Sequence, residues 1–350
     1  MGIRALAGAA LLAALGLAAQ ADPLRIATYS PDLSRDGPGL LLRDLGRKDA
    51  QIEAAIRVIA ETRPDILLLT EFDWDYEGRA LAAFAARLAQ AGLDYPHRFA
   101  ARPNSGMATG LDLDDDGRLG SAGDAQGFGT FTGQGGMAIL SRHPIGPVTD
   151  HTDFLWRDLP GHLMPPLPAD AAAARRLSST AHWDAVITVA GRPLHLLSMS
   201  ATPPVFDGPE DLNGRRNHDE LAFWLHHLPD GPFVLAGNLN LDPLDSEGRP
   251  QALAAIMAHV TDPLPRSAGG AAAAGGVNDG QRGDPALDTG DWPDDKPPGN
   301  LRVDYVLPAK PLKVLDSGVF WPADGPLAKA ALAASAHRLV WVDLDWPPGP

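Results

Sequence analysis

The chain predicts a layered α/β sandwich built on mixed β-sheets. Short apolar or alternating runs recur along its whole length, only a few helical patterns separate them, and several runs are joined by turns too short for a crossover helix. A doubly wound parallel sheet would need a long crossover after nearly every strand, and the spacing does not provide one.

Taken in order, Leu24-Arg25-Ile26-Ala27-Thr28-Tyr29 alternates as a strand and opens the domain. A helix is expected from about Asp49 to Thr62, with Ile52, Ala55, Ile56, Val58 and Ile59 as its apolar stripe. Pro64-Asp65 breaks it, and Ile66 to Thr70 then reads as a buried strand ending at Glu71. A second helical pattern covers Arg79 to Gly92. Met137–Leu140 and Trp183–Val189 are strands, and Gly191-Arg192-Pro193 reads as the turn into a hairpin-like strand at Leu194–Met199. His218–His227 is helical, and Phe233–Ala236 is a buried strand running into Gly237-Asn238-Leu239-Asn240. Arg302–Leu307 and Leu339–Leu344 supply the last strands, while the Ala/Gly-rich stretch from Ser267 to Gly276 reads as a low-complexity surface loop.

Residues 1–21 read as a secretory signal. Arg4 gives the positive start, Ala5 to Ala19 the apolar run, and Ala19-Gln20-Ala21 a small-x-small cleavage site; the alternative is an uncleaved anchor. No later stretch is apolar enough to cross a bilayer. A single domain from 22 to 350 in a periplasmic or secreted location is therefore expected. The formal charge is −15, and removing the signal takes away one Arg and no acid, giving −16. So acidic a surface repels polyanions, because phosphate contacts need Lys and Arg to displace counterions. That makes nucleic acid an unfavourable partner. With no Cys, no disulfide holds the fold and the core must suffice.

The order of strand ends is more specific than any one of them. RIATYS, PDILLLTE, GGMAILSRHPI, LHLLSMSATPP, FVLAGNLN, RVDYVLP and SAHRLVWVDL together resemble the endonuclease/exonuclease/phosphatase superfamily of deoxyribonuclease-like, metal-dependent phosphoesterases. The resemblance spans essentially all of 22–350. It implies a four-layer α/β sandwich, two packed mixed β-sheets flanked by helices, with the active site at one end and phosphate-ester hydrolysis aided by Mg²⁺. Such chemistry needs charge to offset the phosphoryl oxygens, a carboxylate to take a proton from water, and an imidazole to hold or protonate phosphate.

Four positions match the family pattern. Glu71 matches its metal-binding Glu, and Asn240 the Asn that orients water or phosphate. Asp304 and His337 match a pair in which the carboxylate fixes the imidazole. Four positions depart from it. Ser30 stands in place of Asn, Ser200 in place of a phosphate-binding His, Asn238 in place of the water-activating Asp, and Ala336 in place of a metal-side Asp. His195 does not repair the loss at 200, since an offset of five puts it on the opposite face of the strand. Glu71 alone would leave a weak Mg²⁺ site, filled only with ligand bound. The resemblance thus implies impaired hydrolysis, or conversion to binding a small phosphorylated or acidic ligand. Two alternatives stand beside it: a slow phosphoesterase with altered metal and base, and a calcium-stabilised extracellular interaction protein.

Three further segments stand out. Asp112 to Leu119 fits the first eight positions of a calcium loop, with Asp112, Asp114 and Asp116 as ligands beside the Arg118 carbonyl. Position 12 is Gly123, with Asp124 one place late, and the alternative is an acidic solvated turn. An ion there would order the stretch from Arg102 to Gly135. Arg215, Arg216 and Asn217, near a helix start, are candidates to hold an anionic group, unless they pair with Asp219 and Glu220. Ser178, Ser179, His182, Trp183 and Asp184 read as packing at a sheet edge, with no nucleophile-elbow pattern.

Overall fold

Alternating side chains sort onto two faces in each strand, and two sheets result. The computed structural model describes residues 23–346; the expected export signal at 1–21 lies outside them. The first sheet contains β1 (Leu24–Tyr29), β2 (Ile66–Phe72), β3 (His97–Phe99), β4 (Gly136–Ser141), β10 (Val314–Val319) and β11 (Val340–Leu344), in the order β10-β11-β1-β2-β4-β3. The second contains β5 (Ile145–Asp150), β6 (His182–Val189), β7 (Arg192–Ser200), β8 (Phe233–Asn238) and β9 (Asp304–Pro308), in that order. Both are mixed: β1–β2 and β7–β8 pair in parallel, their other neighbours antiparallel.

The inner faces meet through Ile26, Ile66, Leu68, Met137 and Ile139 on one side and Trp183, Ala185, Ile187, Leu196, Val234 and Val306 on the other. Helices α1 (Leu40–Leu45), α2 (Ala50–Thr62), α3 (Arg79–Gln90) and α8 (Gly325–Ala334) cover the outer face of the first sheet. The outer face of the second is covered mainly by α5 (Leu212–Leu225) and α6 (Gln251–Ile256); α4 (Ala169–Ala174) and α7 (Ala268–Ala272) are short. Four layers result, as the sequence predicts.

Local chemistry sets the boundaries. Asp49 caps α2 by accepting from Gln51 N and Ile52 N, and Arg63, left-handed at φ 53°, ends it before Pro64. The β6–β7 hairpin turns on Ala190 and Gly191, at φ 49° and 80°, one residue earlier than expected, because the two-residue loop needs positive φ at both positions. Trp183 lies in the inter-sheet core and not at a sheet edge. The stretch from Ser267 to Gly276 is also no simple surface loop. Ser267 caps α7, Gly269 and Gly270 are buried, and a Cβ on Gly269 would lie 2.1 Å from the Trp321 ring.

At one end of the sandwich the inner faces change from hydrocarbon to polar. Thr28, Ser30 and Thr70 continue the inward positions of β1 and β2, and Ser198, Ser200, Asn238 and Asp304 those of β7, β8 and β9; all are buried. Gly237 makes this end possible. It adopts φ 142°, and a Cβ there would sit 1.8 Å from Met199 O on the neighbouring strand. Gly237→Ala is expected to cost about 3 kcal/mol or more in urea unfolding, and a loss below about 1 kcal/mol would show that β7 and β8 can part without penalty.

Candidate functional site

Register across the second sheet assembles the centre. Ser200 pairs with Asn238, and Asn238 with Asp304, so one row of three inward side chains crosses β7, β8 and β9. Asn238 Oδ1 accepts from Asn240 N at 2.8 Å, and Asn240, left-handed at φ 49°, donates its Nδ2 to Ala201 O at 2.7 Å. An Asp at 238 could accept the same backbone bond and keep its second oxygen as a base. Asn carries an amide nitrogen there, which donates and cannot take a proton.

Asp304 Oδ2 meets His337 Nδ1 at 2.8 Å, so the dyad expected from the sequence is formed. Thr289 holds it from behind. Its Oγ1 accepts from Val303 N and Asp304 N, both at 2.9 Å, and donates to Asp304 Oδ2 at 3.1 Å. The segment from Thr289 to Asp291 pairs with 336–338, and the Trp292 ring stands edge-on to His337, centroids 5.4 Å apart. Burial alone would lower the His337 pKa. The charge and hydrogen bond of Asp304, with Glu71 beyond, outweigh that and raise it. Ser335 Oγ donates to Ser30 O at 2.7 Å, tying this loop to the end of β1. Ala336 is exposed.

Glu71 lies at the mouth, left-handed at φ 53°. Its side chain meets solvent yet is walled by protein, which pushes its carboxyl up; His337 opposes, while Asp32, Asp73 and Asp304 add to the rise. Sequence reasoning missed Asp32. A parallel bridge between Leu33 and Phe72 sets Asp32 beside Glu71, and Asp32 is itself left-handed at φ 55°. Two acids thus stand together at adjacent strand ends in a sparsely populated backbone region, a combination more common at functional sites than elsewhere. Its signal was an acid two places after Ser30. Thr289 and Trp292, by contrast, sit in a Gly-, Pro- and Asp-rich stretch with no periodicity to mark them.

Glu71 and Asp32 put two carboxylates at the mouth, the number of protein carboxylates that commonly holds Mg²⁺ together with ligand oxygens and water, and on the strand ends the buried oxygens Ser30 Oγ and Asp304 Oδ1 find no protein partner. Thr28 Oγ1 and Thr70 Oγ1, on the same inner faces, are also buried without one.

The other candidates fall elsewhere. Arg216 is buried inside the protein and does not face a ligand. It donates to the carbonyls of Leu177 (2.8 Å), Gln126 (2.6 Å), Arg176 (3.0 Å) and Ser178 (3.0 Å), and burial pushes it down to about 10 against the pull of Glu220. Asn217 joins Thr202 O at 2.8 Å to Leu239 O at 2.9 Å, pinning the turn that carries Asn240. Arg215 donates to Glu210 O and Leu163 O. The three form scaffold because the first turns of α5 are packed under the site loops. Glu220 completes it, accepting from Ser179 N, Ser179 Oγ and Thr202 N.

In the acidic loop, Asp112, Asp114 and Asp116 bring carboxylate oxygens within 4.8 Å of one another, and no other group of three is so close among the described residues. Asp124 is turned away. It accepts from Leu113 N, Gly120 N and Ser121 N, and these bonds, Leu113's foremost, hold its carboxyl below the usual range. His195 faces the outer side of β7 and meets Asp184 at 2.8 Å, far from any role beside Ser200.

Residues 36–337 match the model of the Endonuclease/Exonuclease/phosphatase family. No curated protein matches the chain in sequence. Among solved structures, an endonuclease/exonuclease/phosphatase from Beutenbergia cavernae is 20% identical, with TM-score 0.55 over 93% of this chain and 72% of its own. A family protein from Leptotrichia buccalis is 17% identical, with TM-score 0.53 over 92% of this chain and 100% of its own. An AP endonuclease from Archaeoglobus fulgidus is 14% identical, with TM-score 0.51 over the same shares. These likenesses establish the shared fold.

One buried acid beside the site gives a pH signature. Asp288, next to Thr289, has an Oδ2 without a partner and is pushed up to about 7 by burial and by Asp242, Asp245 and Asp284. The folded state therefore holds this proton more tightly than the unfolded chain does. Its stabilising effect is complete below pH about 4 and is lost as pH rises through about 7. Asp288→Asn should match the wild type near pH 4 and exceed it above pH 7 by an amount on the order of a few kcal/mol, read from urea midpoints across pH. Parallel pH curves for the two proteins would contradict this.

Proposed function

Since the chain belongs to the Endonuclease/Exonuclease/phosphatase family, we propose that it is an exported member whose strand-end site binds a small phosphorylated or acidic ligand while its hydrolysis is impaired. The observation that carries this reading is Asn238, whose Oδ1 is committed to Asn240 N at the position where the family resemblance expects the water-activating Asp. Against the family pattern, Ser200 stands for an imidazole and Ala336 for a carboxylate, so two further ionisable groups are missing. His337 is held by Asp304, whose charge and hydrogen bond outweigh burial and favour the protonated form more than in a free imidazole, and in that form it offers a charged Nε2–H donor to a phosphoryl or carboxyl group. The chain's charge of −15 disfavours nucleic acid as the ligand. Export rests on Arg4, the apolar run to Ala19 and the Ala19-Gln20-Ala21 site.

Family members generally use a divalent metal, and Glu71 with Asp32 would hold Mg²⁺ here. When bound, the ion would offset negative charge on the ligand's phosphoryl oxygens. In that setting Asn240 orients the ligand or a water, and His337 holds or gives a proton through Nε2, the nitrogen not bonded to Asp304. A slow phosphoesterase is the second reading, favoured by the intact dyad and by Asp32 beside Glu71. In the 112–124 loop, Asp112, Asp114 and Asp116 are the residues that would take Ca²⁺, a stabilising role compatible with an extracellular interaction protein.

Turnover of p-nitrophenyl phosphate, bis-p-nitrophenyl phosphate and DNA with Mg²⁺, Mn²⁺ or Ca²⁺ is expected to be marginal. Robust turnover abolished by Glu71→Ala and by His337→Ala would overturn the impaired-site reading in favour of the second. Combining Ser30→Asn, Ser200→His, Asn238→Asp and Ala336→Asp should raise the rate by about 10²–10⁴, the usual worth of a restored general base. Calcium is expected to raise the melting temperature of the wild type but not of Asp112→Ala/Asp116→Ala, and equal shifts in both would remove the loop from consideration.

A further inference from the structure

A second group of titratable side chains lies on the helix-covered side of the second sheet, away from the strand-end site. His151 follows β5, with its N donating to His182 O at 2.9 Å, and His227 follows the C-terminus of α5. Their ring centroids are 5.3 Å apart at an interplanar angle of 56°. Packing locks both rings. His227 stacks on Phe223 at 3.8 Å and 11°, and His151 stands edge-on to Phe223 at 5.1 Å and to Trp224 at 6.4 Å. Each ring is half-buried and so retains access to solvent.

The tautomer of His227 is fixed by its partner. Its Nδ1 lies 2.8 Å from Phe223 O, and a carbonyl can only accept, so Nδ1 carries a proton and Nε2 is the nitrogen that bears the lone pair in the neutral ring. A ring N–H given to a backbone carbonyl is the support that metal-ligating imidazoles commonly have. Burial, then the nearby His227, holds His151 below its ordinary pKa, so it is neutral and able to coordinate at neutral pH, while Asp184, Asp150 and Asp153 lend the surroundings negative charge. The ring spacing also fits. With metal–nitrogen bonds of about 2.0–2.1 Å, two imidazoles at a tetrahedral angle place their ring centres about 5 Å apart.

We propose that His151 and His227 form a two-imidazole chelate for a borderline transition-metal cation, Zn²⁺ or Cu²⁺, separate from the strand-end site. The neighbouring His182 takes no part, being buried with its Nε2 against Glu220 O, and Asp184 is engaged by His195. The remaining coordination positions therefore go to water, which leaves an open site weaker than a four-ligand structural one. Imidazole ligands select these ions over the hard cations suited to Glu71 or the 112–116 carboxylates.

The test is Zn²⁺ calorimetry on the mature chain, paired with Cu²⁺ electron paramagnetic resonance. One Zn²⁺ per chain is expected at this site, weakened about tenfold or more by either His151→Gln or His227→Gln and left unchanged by Asp112→Asn/Asp116→Asn. The wild-type Cu²⁺ spectrum should show coupling to two imidazole nitrogens, a readout that stands even if a variant folds poorly. Unaltered Zn²⁺ affinity in both Gln variants, or coupling to a single nitrogen in the wild type, would overturn the proposal.

Discussion

The whole site depends on a single register. Parallel pairing of β7 with β8 and antiparallel pairing of β8 with β9 bring Ser200, Asn238 and Asp304 abreast, facing the inter-sheet space. A slip of one residue in any of these strands would turn its member of the row to the helix-covered face. The register is protected by packing on both faces, since the same slip would move Leu196, Val234 and Val306 from the inter-sheet core into the helix-packed layer and turn Leu197, Leu235 and Leu307 inward in their place. Hydrophobic burial deep in the sandwich therefore fixes polar chemistry at its end, and the site needs little rigidity of its own.

The loops that leave these strands are held by charges turned inward. Arg216 gathers four backbone carbonyls, and Glu220 gathers two backbone N–H groups and a hydroxyl, so one turn of α5 satisfies the polar backbone of three separate loops. Buried charges of this kind are costly unless every bond is made. Here their bonds run to the segments around Ser178, Thr202 and Gln126. The same residues that from sequence suggested a grip on a ligand are thus the reason the loops keep their shape.

The fold was legible in the sequence because most of its strands are apolar runs bounded by turn residues, a signal that survives without relatives. The dyad was legible too, because Asp304 and His337 fall at the ends of two such runs. Elements at the margins were less so. β3, β5 and β10 are short or half-exposed, and in β5 Gly146 and Pro147 disguise the alternation. Side-chain direction was the hardest quantity to infer. Nothing in the order of residues says that Arg216 points inward, that Asp124 spends its oxygens on backbone, or that Asp32 comes beside Glu71 through a bridge between two strand extensions.

The Ala/Gly-rich segment illustrates how far support for the site extends. Gly269 lies against Trp321, the Arg338 guanidinium lies 4.4 Å over that same ring, and Arg338 follows His337 in the chain. A stretch that looks dispensable is therefore two contacts from the imidazole. In evolutionary terms it is not free to drift. Its small residues are held small by the indole they shelter, so insertions and bulky replacements there should be filtered out as strictly as changes at the rim itself.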